Sequence, residues 1–383
     1  MTDDDLQPAT LAVHSGRIDV LGAVVAPVFH SAIYEDPPGG DYHDVRYIRL
    51  NNTPNARSVA QAVTALEGAE AGLVLGSGMA ALSTALFSVV RAGDHVLASR
   101  GLYGGTHSLL TVDLPRLGID VSFVDPCAVD GWSEAVTERT TAVLVESISN
   151  PLIRVGDHPA ITAFSKARGL VTIVDNTLAS PLNFRPLDHG YDLVVHSATK
   201  YLNGHSDLVA GVVVGDHARV LAAKKVADHL GGSLDPDACA RLRRGLATIE
   251  LRVTRQNETA LEVARVLAQR PEIRVVHHPG LPTHADHDRA RRLLGGAGGL
   301  FSVEVDGGGE AALGMLSRLR LFRKAPSFGG VESLATRPMD TSHRGVPEDV
   351  RRAEGIGPDL VRLSVGVEAC EDLVRDLEQA LEG

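Results

Sequence analysis

The stretch YDLVVHSATKY, residues 191–201, decides the fold class that we expect for this chain. Leu193, Val194 and Val195 form an apolar run without the polar alternation of a half-exposed strand. Such a run is typical of a strand that is covered on both faces, and these strands end at the ligand-binding edge of an α/β sheet. Lys200 follows at that edge, so it is either a catalytic amine or, as lysines usually are, a solvated surface residue.

Two other strand ends favour the catalytic alternative. The apolar run at residues 170–174 is followed by Asp175, and the run at residues 73–75 is followed by the turn Gly76-Ser77-Gly78-Met79 and a helical segment. Alone, such an aspartate is often a helix cap and such a turn is often only a tight turn. A helix start can also bind phosphate through its backbone N–H groups. With Lys200, these features supply what pyridoxal 5′-phosphate (PLP) needs: an anion cradle, an acid partner for its ring nitrogen, and a lysine to form an imine with its aldehyde.

Motifs along nearly the whole chain carry a resemblance to a known family. They are His14-Ser15-Gly16, Tyr47-Ile48-Arg49, Gly76-Ser77-Gly78-Met79, Leu102-Tyr103-Gly104-Gly105-Thr106, Glu146-Ser147-Ile148-Ser149-Asn150-Pro151, Asp175-Asn176-Thr177, residues 197–205, residues 327–334 and residues 362–366. Each motif is weak by itself, but all of them in this order are specific. The chain resembles the Cys/Met metabolism (transsulfuration) family of PLP-dependent enzymes. The resemblance implies the α/β fold of PLP-dependent transferases, fold type I, which is aspartate aminotransferase-like.

The resemblance also implies the residues that hold the cofactor. Lys200 carries PLP and moves the Cα proton as general base and acid, and Asp175 faces the ring nitrogen and keeps it protonated. Tyr103 stacks on the ring, although a buried core tyrosine is the simpler alternative. The other expected contacts are the N–H groups of Gly78 and Met79 and the hydroxyls of Ser197 and Thr199 at the phosphate, and Tyr47 and Arg49 from a neighbouring subunit.

Three further residues match the positions that hold the substrate in the resembling family. Asn150 flanks a cofactor oxygen, Arg362 grips the α-carboxylate, and Ser327 lies in a loop that lines the carboxylate site. Arg362 stands in an apolar strand pattern, and burying an arginine is costly without an anion. This cost favours a functional role for Arg362 over a structural one.

The pattern of strands and helices predicts three regions. Residues 1–55 read as an arm, punctuated by prolines such as those in Pro37-Pro38-Gly39-Gly40 and with little helical periodicity. Residues 56–250 alternate short apolar strands with helices, which predicts a mostly parallel sheet and the cofactor-binding domain. Residues 251–383 predict a smaller α+β domain. In the resembling family the arm crosses to a neighbouring subunit, within a homotetramer built from dimers that share active sites.

The strands predicted in the cofactor domain are residues 71–75, 95–98, 120–124, 142–145, 171–174, 193–195 and 209–214. Those predicted in the C-terminal region are residues 273–276, 300–305 and 361–365, followed by a closing helix at residues 369–381.

Composition argues against several other classes of protein. The formal charge of −11 leaves no basic stripe for DNA or RNA. No apolar run approaches the length of a membrane span and the first residues are acidic, so we expect a cytoplasmic protein without a membrane partner. Three widely spaced cysteines predict buried thiols and no disulfide framework. No two histidines have the i, i+4 spacing of a helical zinc site, so we expect no metal.

The resemblance implies a carbon–sulfur lyase or transferase that acts on the side chain of a sulfur-containing or O-acylated amino acid. Cystathionine γ-lyase or γ-synthase chemistry is the first expectation; methionine γ-lyases commonly carry a cysteine where this chain has Gly105. O-acylhomoserine sulfhydrylase, cystathionine β-lyase and methionine γ-lyase stay open, and an aminotransferase or a non-catalytic scaffold on the same fold are weaker alternatives. Departures from the family pattern at Ile48, residues 52–54, His107 and Gln256 leave the substrate, β or γ specificity, and the direction of the reaction undecided.

Overall fold

The computed structural model describes residues 6–35, 39 and 42–382 of the chain. The acidic start at residues 1–5, and Pro37, Pro38 and Gly40 of the predicted arm, lie outside the described residues. The described residues form a seven-stranded sheet followed by a five-stranded sheet, with helices packed against both.

The larger sheet contains the strands predicted between residues 71 and 214. Their bounds are β1 (Ala71–Leu75), β2 (His95–Ser99), β3 (Asp120–Val124), β4 (Thr140–Glu146), β5 (Val171–Asp175), β6 (Leu193–Ser197) and β7 (Gly211–Gly215). The last strand starts at Gly211, later than predicted. Val209, which was expected to begin it, lies before the strand and is 58% exposed. The strand order is β1-β7-β6-β5-β4-β2-β3. Only β7 runs antiparallel to its neighbours in this described sheet, so the expected mostly parallel α/β sheet is confirmed.

The smaller sheet contains β8 (Ile273–His277), β9 (Leu300–Val305), β10 (Arg323–Lys324), β11 (Leu334–Thr336) and β12 (Leu360–Ser364). Its order is β10-β11-β12-β9-β8, with antiparallel pairs except between β10 and β11. The α-helices of the described residues are α1 (Pro8–His14), α2 (Pro54–Glu67), α3 (Gly78–Phe87), α4 (Gly104–Ser108), α5 (Leu114–Arg116), α6 (His158–Lys166), α7 (Ser180–Asn183), α8 (His217–Leu230), α9 (Pro236–Leu246), α10 (Ile249–Leu267), α11 (His287–Leu293), α12 (Gly308–Arg318), α13 (Glu348–Ala353) and α14 (Cys370–Leu381).

Apolar side chains cover both faces of the larger sheet. Val63 of α2 belongs to the same core cluster as Val194 of β6, and Leu82 of α3 belongs to a second cluster with the adjacent Val195. Each fully buried side chain of this kind contributes about 1.5–3 kcal/mol relative to exposure. Burial on two faces explains why the strand at residues 193–195 lacks a polar alternation.

The direction of the strands brings distant residues to one edge of the sheet. Glu146, Asp175 and Ser197 are the last residues of β4, β5 and β6, which run parallel to one another. Because β7 is antiparallel to both β6 and β1, β1 runs parallel to β6 and also ends at this edge. The turn after β1 therefore starts α3 next to the end of β6.

The arm has more structure than the sequence indicated. Pro8 fits the first turn of α1, where its missing N–H group is not needed, and Leu11 and Ala12 of this helix are buried against the core of the larger sheet. The helix is short, so its own periodicity was a weak signal and packing decides its conformation. Farther along the arm, the side chains of Leu21, Val24 and Val25 are exposed.

The three cysteines are free thiols, of which Cys239 is buried and Cys127 and Cys370 are only partly buried, contrary to the expectation for all three. No helix in the described part of the chain combines the length and the apolar character that crossing a bilayer requires.

Candidate active site

A cavity of about 560 Å³ opens at the edge of the larger sheet where β4, β5 and β6 end. It is lined from the larger sheet and from the segments around β12. Of the twelve residues that the sequence analysis selected, ten line it: Gly78, Met79, Tyr103, Asn150, Asp175, Ser197, Thr199, Lys200, Ser327 and Arg362. Tyr47 and Arg49 are not among the described residues that line it.

Lys200 is partly buried in the turn that follows β6 rather than solvated on the surface. Its Nζ donates to Ser327 Oγ at 2.6 Å and lies 5.2 Å from the ring centroid of Phe328. Burial, followed by the positive charge of Arg362, lowers the pKa of Lys200 to about 8. A lysine with this pKa is partly neutral near physiological pH and can act as a nucleophile or base.

Asp175 accepts hydrogen bonds from Thr177, two positions later in the chain. Its Oδ1 accepts hydrogen bonds from the Thr177 backbone N–H at 2.9 Å and from the Thr177 hydroxyl. The same hydroxyl oxygen accepts a bond from Ser197 N–H at 2.7 Å, so Thr177 joins the ends of β5 and β6. Burial raises the pKa of Asp175, and the bonds from Thr177 oppose this effect.

The start of α3 forms an anion cradle against β6. Ser77 caps the helix by accepting a bond from Ala80 N–H at 3.0 Å, and the first backbone N–H groups of an α-helix are available to an anion. A Cβ atom on Gly78 would lie 2.6 Å from the Cβ of Ser197, so glycine lets the turn approach this strand end. Thr199 exchanges hydrogen bonds with the backbone of Ala210 through its hydroxyl, which fixes this side of the cradle.

Arg362 on β12 is a buried cation, 3% exposed, that also lines the cavity. Its guanidinium donates to Asn150 Oδ1 and to the Ser327 carbonyl oxygen, both at 3.0 Å. These acceptors are neutral, and burial lowers the pKa of Arg362 to about 10. Ser327 has a φ of +89°, a strained conformation for a residue with a side chain, and such strain is common at functional sites. The arrangement is suited to a carboxylate, which would balance the positive charge of Arg362.

Tyr103 precedes α4 and lines the cavity with 44% of its surface exposed, rather than lying buried in the core. Its backbone N–H donates to Glu146 Oε1 at 2.6 Å. A Cβ atom on Gly105 would lie 2.6 Å from Tyr103 Cε1, so glycine at this position lets the tyrosine ring take its present place.

Arg49 and Tyr47 lie on the arm and do not line the cavity of their own chain. The Arg49 guanidinium donates to Tyr42 Oη at 2.7 Å and to the Asp228 carbonyl oxygen, and it lies 5.6 Å from the Tyr47 ring centroid. Hydrogen bonding to Tyr42 raises the pKa of Arg49. Within one chain, these two residues do not join the other candidate cofactor contacts.

Thr177 and Glu146 line the cavity but had no assigned role in the sequence analysis. Thr177 was quoted only as part of Asp175-Asn176-Thr177, and Glu146 only as the first residue of its motif. The signal that could have identified Thr177 is its spacing, because a threonine two residues after an aspartate can bond back to the carboxylate. No local signal identifies Glu146, since its neighbour Asp175 comes from another strand.

These residues fit PLP. The cavity brings together a helix-start cradle at Gly78, a carboxylate at Asp175 and an amine of lowered pKa at Lys200, which suit a phosphate, a pyridinium nitrogen and an aldehyde. Glycine at position 78 is required for the cradle to close on Ser197. Asn150 and Arg362 likewise suit the carboxylate of an amino acid.

Comparison with known proteins agrees with this assignment. The sequence profile of the Cys/Met metabolism PLP-dependent enzymes matches residues 9–382. The chain is 37% identical to cystathionine gamma-synthase 1, chloroplastic, of Arabidopsis thaliana, over 97% of this chain and 68% of the relative. It is also 37% identical to an L-methionine gamma-lyase of Pseudomonas putida, over 97% of this chain and 96% of the relative. The crystal structure of cystathionine gamma-lyase from Lactobacillus plantarum complexed with L-serine has a TM-score of 0.94 at 32% identity, over 98% of this chain and 99% of that one.

Proposed function

Since the chain belongs to the Cys/Met metabolism family of PLP-dependent enzymes, we propose that it breaks or makes a C–S or C–O bond at Cβ or Cγ of an amino acid. Cystathionine γ-lyase or γ-synthase chemistry is the specific activity proposed. The observation that carries the proposal is the single cavity shared by Lys200, Asp175 and the start of α3, which the buried cation of Arg362 also lines.

Arg362, Asn150 and Ser327 bind the substrate in this proposal. The α-carboxylate takes the place opposite the guanidinium, where it receives charge-assisted hydrogen bonds from a cation otherwise bonded to neutral oxygens. Holding the carboxylate fixes the orientation of Cα with respect to Lys200, and such positioning lowers the entropic part of the barrier.

Lys200 transfers protons, and the carboxylate of Asp175 balances the positive charge of the ring nitrogen. When bound, PLP supplies an aldehyde that captures the substrate amine and a pyridinium ring that accepts electrons from Cα. Lys200 Nζ removes the Cα proton, and for γ chemistry it also removes a proton from Cβ. Asp175, held by Thr177, keeps the proton on the ring nitrogen. Tyr103 assists the departing group from the open side of the cavity.

The contact at Gly105 supports the choice within the family. Methionine γ-lyases commonly carry a cysteine there, and any side chain at this position of the present structure would move the ring of Tyr103. Sequence identity does not separate the activities, because the γ-synthase and the methionine γ-lyase relatives are both 37% identical to the chain.

A panel of substrates tests the proposal directly. Cystathionine, methionine, homocysteine, and O-acylhomoserine with cysteine or sulfide are each incubated with purified enzyme and scored for ammonia, keto acid and thioether products. We expect turnover of cystathionine or synthesis of a thioether, together with visible absorption from the lysine-bound cofactor that Lys200→Ala abolishes. An unchanged spectrum in that variant would refute the role of Lys200, and conversion of the cofactor to its amine form with a keto acid would indicate an aminotransferase.

We further propose that residues 1–55 act as an arm on a neighbouring subunit, residues 56–250 as the cofactor domain and residues 251–383 as the C-terminal domain. Exposed apolar side chains at Leu21, Val24 and Val25 support an arm that packs on another chain. Tyr47 and Arg49 would then complete the neighbour's phosphate site, within a homotetramer built from dimers. A cytoplasmic location stays a prediction.

Mixing two inactive variants tests the shared site. Chains with Lys200→Ala and chains with Arg49→Ala each lack one necessary group. If the arm crosses between subunits, a mixed dimer regains one complete site, and activity returns on mixing. If mixing never restores activity although mixed dimers form, the arm does not complete its neighbour's site.

A further inference from the structure

Glu146 lines the cavity, but the proposed reaction gives it no role. It ends β4, and the strand register places it directly beside Asp175, which ends β5. Both residues are partly buried and both contribute to the cavity lining. Two carboxyl groups in adjacent register at one enclosed edge cannot both ionise without strong repulsion.

The hydrogen bonds decide which carboxyl group carries the charge. Asp175 receives two bonds from Thr177, and His196 on the neighbouring β6 also favours its anion. Within the described residues, Glu146 receives a single bond, from the backbone N–H of Tyr103. The better stabilised anion is therefore Asp175, and the proton belongs to Glu146.

A third carboxyl group also opposes ionisation of Glu146. Glu354, which follows α13 and accepts a bond from Gly101 N–H at 3.3 Å, opposes a negative charge on Glu146. The cations Lys200, in the turn after β6, and Arg362, within β12, line the same cavity and act in the opposite sense. Burial first, and then Asp175, raise the pKa of Glu146 well above its usual range, while the bond from Tyr103 opposes them.

We propose that Glu146 is a positioning residue that stands as a neutral carboxylic acid. Its Oε1 fixes the backbone of Tyr103 to the end of β4, and its lack of charge leaves Asp175 as the anion that meets the ring nitrogen. The inference rests on the proposed function only for the presence of the cofactor. Its tests contain no turnover, so it can fail while the proposed activity stands, or stand while that activity fails.

The two parts of the proposal need two different substitutions. Glu146→Gln keeps an oxygen that can accept from Tyr103 N–H but cannot ionise. Glu146→Leu removes the acceptor altogether. Asp175→Asn is the matched control. It neutralises the neighbouring carboxyl group, to which we assign the negative charge.

Thermal unfolding of the cofactor-free full-length protein tests the charge state. Between the pKa of Glu146 in the unfolded chain and its raised pKa in the fold, the folded state retains a proton that the unfolded state loses, so stability falls as pH rises. Glutamine has no proton to lose. We expect the Tm of Glu146→Gln to exceed that of the wild type by about 2 °C or more at pH 8 and by a smaller margin at pH 5, close to the pKa of the unfolded chain. A Tm that is lowered or unchanged at both pH values would overturn the neutral-acid assignment.

Cofactor affinity, measured by the return of visible absorption during titration of the cofactor-free protein with PLP, tests the positioning. Glu146→Leu should weaken the affinity by roughly fivefold or more, because the Tyr103 N–H loses its acceptor, while Glu146→Gln should stay within about twofold of the wild type. Equal losses in both variants would mean that a charged carboxylate is required, and no loss in either would mean that Tyr103 is positioned without Glu146. Both results contradict the proposal. Should the leucine variant not fold, the glutamine variant decides alone through its Tm and its affinity.

Discussion

Replacing Arg362 with methionine tests the substrate side of the cavity, and the structure supplies the expected size of the effect. Burial lowers the pKa of Arg362 from its usual 12.5 to about 10. One pKa unit corresponds to about 1.4 kcal/mol, so the buried cation is disfavoured by about 3 kcal/mol, which a bound carboxylate can relieve. The variant should therefore lose kcat/KM for amino acid substrates on the order of a hundredfold.

The assay compares each amino acid substrate with the corresponding amine that lacks the carboxylate. Wild-type enzyme should prefer the amino acid, and in Arg362→Met this preference should fall on the order of a hundredfold while the visible absorption of the cofactor remains. Arg362→Lys should recover part of the loss, because a lysine keeps the charge but not the paired geometry of the guanidinium.

Arg252 provides a matched control for removing a buried arginine. It is 6% exposed and donates to the backbone oxygens of Tyr201 and Gly245, and it is not among the described residues that line the cavity. Arg252→Met should lower the Tm without changing the preference for the amino acid. The reasoning is refuted if Arg362→Met keeps kcat/KM within about threefold of the wild type, or if both arginine variants change the preference equally.

Other substitutions test the cofactor side. Asp175→Asn should lower kcat/KM by at least about tenfold, because the ring nitrogen loses its anionic partner; a pH-rate profile identical to that of the wild type would contradict this role. Gly78→Ala should weaken PLP binding by about tenfold, since its Cβ would lie 2.6 Å from the Cβ of Ser197, whereas Gly131→Ala, at an open position, should not. Lys200→Met should raise the Tm of the cofactor-free protein below about pH 8, where the buried wild-type amine is charged against its lowered pKa, and the gain should fade as the pH rises toward 10.5. A gain that grows with pH would contradict the lowered pKa.

The sequence predicted the cofactor side of the site because its signals are local. A strand end followed by Lys200, another followed by Asp175, and a glycine turn before α3 each indicate their place at the sheet edge. Arg362 was also found locally, since an arginine within an apolar strand is unusual. These local signals place the three features at one sheet edge without knowledge of the strand order, while their roles came from the resemblance.

What the sequence did not predict depends on pairing between distant segments. Glu146 matters because β4 lies beside β5, and a single sequence does not give this order. Val209 was placed within a strand because it is apolar, yet it lies before β7 and lines the cavity. Helix α1 is too short for a clear period and is fixed by packing of Leu11 and Ala12. Tyr47 and Arg49 were selected only through the resemblance, and they are not among the described residues that line the cavity.

The pairing of β1 with β7 has a consequence for biosynthesis. The register joins Ala71 to Gly215, so the first strand of the sheet waits for one of the last. During translation, the turn at residues 76–79 lacks the strand that pairs with β1 until residue 215 has left the ribosome, and closing such a long loop is slow. Completion of this edge of the sheet is therefore a late event in the synthesis of each chain. A nascent chain stalled between residues 200 and 215 would carry Lys200 but not the completed sheet edge beside it.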